Sequence, residues 1–330
     1  MKSIYLPHIL IILTVLLVSC ATVDAPDSDV GSTLTPNEIR GPGLGNVGVP
    51  DFDKGMEAFR RGDYAAALEE WRPLAEAGPW PSAQSMLGTM YYFGRGVTQD
   101  YAEAAHWFQL AAEQGFAPAQ SMLGFMHQNG DGVPQDYTEA ARWYQLAAEQ
   151  NEPTAQSRLG ALYALGQGAP QNYDLAYFWY RMAANQGNVS AQGSLGVMYY
   201  NGQGVPHDYT EAARWFGLAA DQGSAAAQHT LGRMYFNGQG VSQDHREAAR
   251  WLGMAAQAGH DNAQAMLGLM YDLGLGVPED AVLAYKWINL SAAQGNEEAK
   301  EARDLVVSGM SPFQIAEAQR LAREWSAQRR

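Results

Sequence analysis

Ala-Gln recurs at positions 83–84, 119–120, 155–156, 191–192, 227–228 and 263–264, each copy 36 residues after the last. A dipeptide held to one spacing over six copies constrains the fold more than any single motif, because a chain of copies has to stack them. Leu-Gly follows every copy, from Leu87-Gly88 to Leu267-Gly268. A GxG comes next, from Gly94 and Gly96 to Gly274 and Gly276. Trp stands at 107, 143, 179, 215, 251 and 287, and Trp71 extends the register backward.

Each unit reads as two helices. Ala83, Leu87, Met90 and Tyr91 are spaced i, i+4, i+7, i+8, one apolar stripe of a helix. Gly94 and Gly96 end it. Asp100 starts a second helix as N-cap, with Glu103 expected as its reciprocal capping partner. Ala104, Trp107, Phe108, Ala111 and Ala112 form the second stripe, and Gly115 closes that helix. One pair cannot bury its own stripes, so neighbouring pairs must cover them, with the tryptophan filling the gap between pairs.

The pattern AQxxLGxMYxxGxGVxxDYxEAAxWxxxAAxQG, as it stands at 191–223, resembles the Sel-one-like repeat family, relatives of the tetratricopeptide repeat. The resemblance implies an all-α fold: a right-handed α-α superhelical solenoid of about six full 36-residue helix-turn-helix repeats within residues 51–298. A partial repeat precedes them, with helices near 52–61 and 64–77. Residues 299–330 are expected to cap the stack, with a last helix beginning at Ser311-Pro312 and running to Gln328. Asn151, Ala169, Asn172, Ala281 and Leu283 depart from the pattern and are expected to weaken local caps.

The first fifty residues read differently. Lys2, the apolar run from Ile9 to Val18 and the small residues around position 20 have the layout of a secretory signal over 1–19. Leu17-Val18-Ser19-Cys20 resembles the lipobox of bacterial lipoproteins, which implies lipidation at Cys20. Residues 20–50 are rich in Gly, Pro, Asp and Ser and read as a disordered tether. The resemblance implies an outer-membrane lipoprotein facing the periplasm, with a surface-exposed or secreted form as the alternative.

Chemistry is harder to find. A net charge of -14 argues against nucleic acid, whose binding rests on Lys and Arg meeting phosphate. The single cysteine, Cys20, allows no disulfide within the chain. The GxG follows a helix rather than a strand and recurs six times, so it reads as a turn and not a phosphate loop. Asp208 and Glu211, like Asp100 and Glu103, stand at a helix start and read as caps. The stretch 127–138 lacks the carboxylates of a calcium loop. None of the seven histidines forms a close ligand pair. No metal, cofactor or catalytic set is assigned, and a hydrolytic enzyme is a distant third reading.

What varies from copy to copy is one face of the first helix, at its third, seventh and tenth positions. The resemblance puts that helix on the concave side of the solenoid. Tyr92, Phe125, Gln128, Tyr200, His229, Arg233 and Phe236 are the candidate contacts there, with Arg233 foremost as a cation between His229 and Phe236. Such a face suits another protein or peptide, and a glycan or peptidoglycan is the alternative ligand. The expected function is that of a lipid-anchored interaction scaffold.

Overall fold

The computed structural model describes residues 50–329. The signal peptide at 1–19, Cys20 and the tether as far as residue 49 lie outside the described residues. Sixteen α-helices and no strand occur among the described residues. They are α1 (Phe52–Arg60), α2 (Tyr64–Ala77), α3 (Pro81–Phe93), α4 (Tyr101–Glu113), α5 (Ala117–Asn129) and α6 (Tyr137–Glu149). Then come α7 (Pro153–Leu165), α8 (Tyr173–Asn185), α9 (Val189–Asn201), α10 (Tyr209–Asp221) and α11 (Ala225–Asn237). The last are α12 (His245–Ala258), α13 (Asp261–Leu273), α14 (Ala281–Ala293), α15 (Glu297–Val307) and α16 (Pro312–Ala327). Six consecutive helical pairs, α3–α4 to α13–α14, are the order of a helical solenoid. The chain divides into two compact units, 50–191 and 192–329.

Glycine sets the helix ends. Gly94 adopts φ 65° and its N–H donates to Met90 O, closing α3 in the left-handed conformation. In both units a second GxG glycine does more than turn. A Cβ on Gly132 would lie 2.2 Å from Tyr101 O, and one on Gly240 would lie 2.1 Å from Tyr209 O. Only a glycine lets this turn press against the start of the previous pair's second helix.

The N-caps form as expected: the Asp208 side chain accepts from the N–H groups of Thr210 (2.8 Å) and Glu211 (3.1 Å). The reciprocal half of the capping box does not. Asp208 N–H donates to Tyr199 O instead. Glu211 pairs with Arg214 at 2.9 Å, as Glu139 does with Arg142 and Glu247 with Arg250 at 2.8 Å. Glu103 accepts from the Trp107 indole N–H at 3.0 Å. The preceding helix already satisfies the N-cap N–H, so the glutamate is free to face outward. A complete capping box appears at Ser311 and Gln314.

Within a pair, the residue after the tryptophan carries the packing. Phe108, Tyr144, Tyr180, Phe216, Leu252 and Ile288 are all buried. Each lies over the glycine of Leu-Gly: a Cβ on Gly124 would come within 2.8 Å of the Tyr144 ring, and one on Gly196 within 2.8 Å of Phe216. The tryptophans are less uniform than expected. Trp71, Trp143, Trp215, Trp251 and Trp287 are buried, whereas Trp107 and Trp179 are half-exposed. The Arg214, Arg250 and Arg142 guanidinium groups cover the neighbouring indoles at 4.0–4.1 Å.

Between pairs, buried glutamines form a clasp. Gln120 Nε2 donates to Ala112 O at 3.1 Å, on the preceding pair's second helix. Its Oε1 accepts from Gln150 Nε2 at 2.7 Å. Gln264 repeats this with Ala256 O (3.1 Å) and Gln294 (2.8 Å). Asn151 joins the clasp rather than weakening a cap. It holds φ 69°, which Asn tolerates better than other side chains. Its amide accepts from Gln156 and exchanges hydrogen bonds with Gln186, all at 3.1–3.2 Å. Asn172 gives a thinner cap, accepting from Leu175 N–H alone at 3.0 Å, whereas Asp280 still accepts from both Val282 and Leu283.

Two glycines of the second unit separate conformation from contact. Gly223 has φ 93° with open space around a Cβ, and Gly240 has φ 69° with Tyr209 O in the way. Gly223→Ala should cost about 1–2 kcal/mol, and Gly240→Ala about 2–5 kcal/mol once crowding is added. Urea unfolding of the two variants measures this; equal costs would remove the contact from the account.

Candidate interaction faces

In the first unit, Tyr92 ends α3, Phe125 and Gln128 lie on α5, and the three are half-exposed. The Tyr92 hydroxyl donates to Asp131 Oδ2 at 2.8 Å. Its ring meets Phe125 edge-on at 6.4 Å and Tyr101 at 4.9 Å. The Arg158 guanidinium lies over the Phe125 ring at 4.6 Å. Gln128 Oε1 accepts from the Tyr144 hydroxyl at 2.9 Å. Burial first, then the bond to Asp131, pushes the Tyr92 phenol well above the usual tyrosine range. It therefore stays a neutral donor. The result is an aromatic wall flanked by one anion and one cation.

Asp131 and Arg158 were not among the sequence candidates, yet both left a signal. Asp131 is the variable middle residue of a GxG, where other copies carry Gln, Arg or Leu. Arg158 occupies a position that is Met, Ser or Thr in the other five copies. Arg158 is the one charge in its column, and Asp131 the one anion in its own.

In the second unit, Tyr200 is half-exposed at the end of α9, edge-on to Tyr209 at 5.0 Å. His207 packs against the other edge of Tyr209 at 4.2 Å. His229, Arg233 and Phe236 take a different role from the one expected of them. They are only 6%, 6% and 9% exposed. His229 stacks on His260 at 4.4 Å, and Phe236 on His245 at 4.7 Å. On α13, Ala265, Leu269 and Asp272 in the same register are buried as well. In these helices the face lies between neighbours, so Arg233 does not present a cation to a partner on an open surface. Burial first, then the electrostatic influence of His260 and Arg233, holds the His229 imidazole well below its ordinary pKa.

No cluster of three or more His, Cys, Asp or Glu positioned to hold a metal occurs among the described residues. No helix among them is long and apolar enough to cross a membrane.

Six stretches match the Sel1 repeat family: residues 81–116, 117–152, 153–188, 189–224, 225–260 and 261–296. No curated protein matches. The crystal structure of c5321, a protective antigen of uropathogenic Escherichia coli strains displaying an SLR fold, is 37% identical with a TM-score of 0.70. That match covers 78% of this chain and 56% of the antigen, so the chain spans little more than half its length. A Sel1 repeat protein from Oxalobacter formigenes is 33% identical with a TM-score of 0.66, over 72% of this chain and 94% of that one.

The neutral His229 makes stability depend on pH. The unfolded chain takes up a proton below about pH 6.5, while the folded chain does not until lower pH. Stability is therefore full above that value and falls as pH drops, by about 1.4 kcal/mol per pH unit from this residue. Unfolding free energies at pH 7.5 and 5.5 should differ less in His229→Gln than in the parent. An identical difference would show that His229 does not bear this load.

Proposed function

Because the chain belongs to the Sel1 repeat family, we propose that it serves as a scaffold for other proteins, held at the cell envelope by a lipid on Cys20. Sel1 repeats generally mediate protein–protein interaction. The invariant residues of each copy are absorbed by the fold: glycines by turns and close contacts, aspartates by caps, glutamines by the clasp. What is left over is the set of side chains that differ between copies. The patch of Tyr92, Phe125, Asp131 and Arg158 carries the reading. Its rings supply contact area, its Asp and Arg supply directional charge, and its half-exposure leaves them reachable. Tyr200 offers a smaller aromatic contact of the same kind. The envelope address rests on Leu17-Val18-Ser19-Cys20 and on the glycine- and proline-rich stretch after it.

Three measurements test this. Capture from crosslinked envelopes should recover a protein partner with the parent, and about tenfold less with Phe125→Ala, since aromatic anchors at interfaces are worth at least about 1.4 kcal/mol. Equal recovery would remove the patch from the interface. Binding to purified cell-wall polymer that survives protease treatment would point to a glycan instead. Cys20→Ser should move the protein from the membrane fraction to the soluble fraction; retention would defeat the anchor.

A further inference from the structure

The last helix of the chain occupies a groove that recurs, empty, five repeats earlier. Along the second helix of each pair runs an apolar position: Leu110, Leu146, Met182, Leu218, Met254 and Leu290. Leu146, Leu218 and Met254 are 37–41% exposed, whereas Leu290 is 7% exposed. The difference is α16. Trp325 packs edge-on against Trp287 at 6.1 Å and lines the same cavity as Leu290. One turn later, Arg329 lays its guanidinium over the Trp325 ring at 4.7 Å. It donates to Gln257 O and, at 2.6 Å, to Ala258 O. Those are carbonyls at the end of α12, where no intrahelical N–H reaches and the helix dipole is negative. A tryptophan and an arginine four residues apart thus read an apolar side chain and a helix C-terminus together.

The counterpart in the first unit lies between α2 and α4, an open cavity of about 530 Å³. Trp107, Leu110 and Gln114 stand five repeats before Trp287, Leu290 and Gln294 and line it, with Gly78 and Glu76 at the end of α2. Trp107 is half-exposed there. Glu76 adds negative charge to a helix end of the same kind as the one that holds Arg329 at the other groove.

We propose that this groove docks an amphipathic helix of another protein, one that presents an aromatic residue and, one turn on, an arginine. The aromatic ring packs on Trp107 and Leu110. The arginine meets Glu76 and the carbonyl end of α2. This surface is separate from the Tyr92–Phe125 patch, so either can fail without the other.

The probe is a synthetic, fluorescein-labelled peptide of residues 311–329, added to the full chain and followed by anisotropy. It should bind, and Leu110→Glu should weaken it about tenfold while leaving the thermal melt of the protein unchanged. Peptides carrying Trp325→Ala or Arg329→Ala should lose about as much, and these leave the protein itself untouched. A photo-crosslinker in place of Trp325 should label residues 107–114. Absence of binding, or binding that ignores Leu110→Glu, overturns the proposal. So does labelling at 287–294, which would mean that the peptide merely displaces α16. A dimer of the chain that Leu110→Glu dissolves would assign the groove to a second copy and overturn it too.

Discussion

A buried amide that cannot be satisfied within its own helical pair is the constraint on which the stack depends. The glutamine of each Ala-Gln sits in the interior, where an unpaired amide costs about 1–3 kcal/mol. Gln120 finds its acceptor on the pair before, Ala112 O, and its donor near the end of its own pair, Gln150. Alanines around it let the helices come close enough for those bonds to be short. Apolar stripes alone would tolerate some sliding. The clasp does not, because a shift by one residue leaves donor and acceptor both unpaired in a dry site. It therefore fixes register, while the bulky side chain over glycine inside each pair fixes distance.

Much of this was legible because it repeats. The helix starts and stops follow from Asp, Gly and Pro placed on a 36-residue period, and the described helices begin and end within a residue or two of the expected places. Side-chain partners were less legible. Glu103, Glu139, Glu211 and Glu247 stand where a capping glutamate would, yet the preceding helix claims the N–H they would have accepted. The residue after tryptophan varies among Phe, Tyr, Leu and Ile; Phe108 was legible as part of the apolar stripe, but its seat over the backbone of Gly88 was not. Asn151 looked like a damaged position, and its amide turns out to add bonds. Each miss concerns a partner roughly 30 or more residues away, or one supplied by backbone, and neither leaves a mark in local spacing.

The candidate face shows the same limit. Third, seventh and tenth positions of the first helix share one side by helical geometry, and that much is read directly. Whether the side is open depends on the next pair. Around Tyr92 and Phe125 it is partly open; around His229, Arg233 and Phe236 it is closed, with His260 stacked on His229 and His245 on Phe236. A charge in a variable position thus has two meanings, recognition or burial. The neighbours decide between them. Arg158 and Asp131 were better clues, because each breaks the pattern of its own column beside aromatics that stay accessible.

The clasp also says how such a chain can change length. Its bonds are written as fixed offsets, eight residues back and thirty forward. Adding or removing a few residues inside the stack would strand a buried amide, whereas a whole repeat inserted or lost restores every partner. Gene duplication and deletion within this coding sequence are thereby restricted to complete copies. The number of repeats is free to drift over evolutionary time while the repeat itself is held to one size.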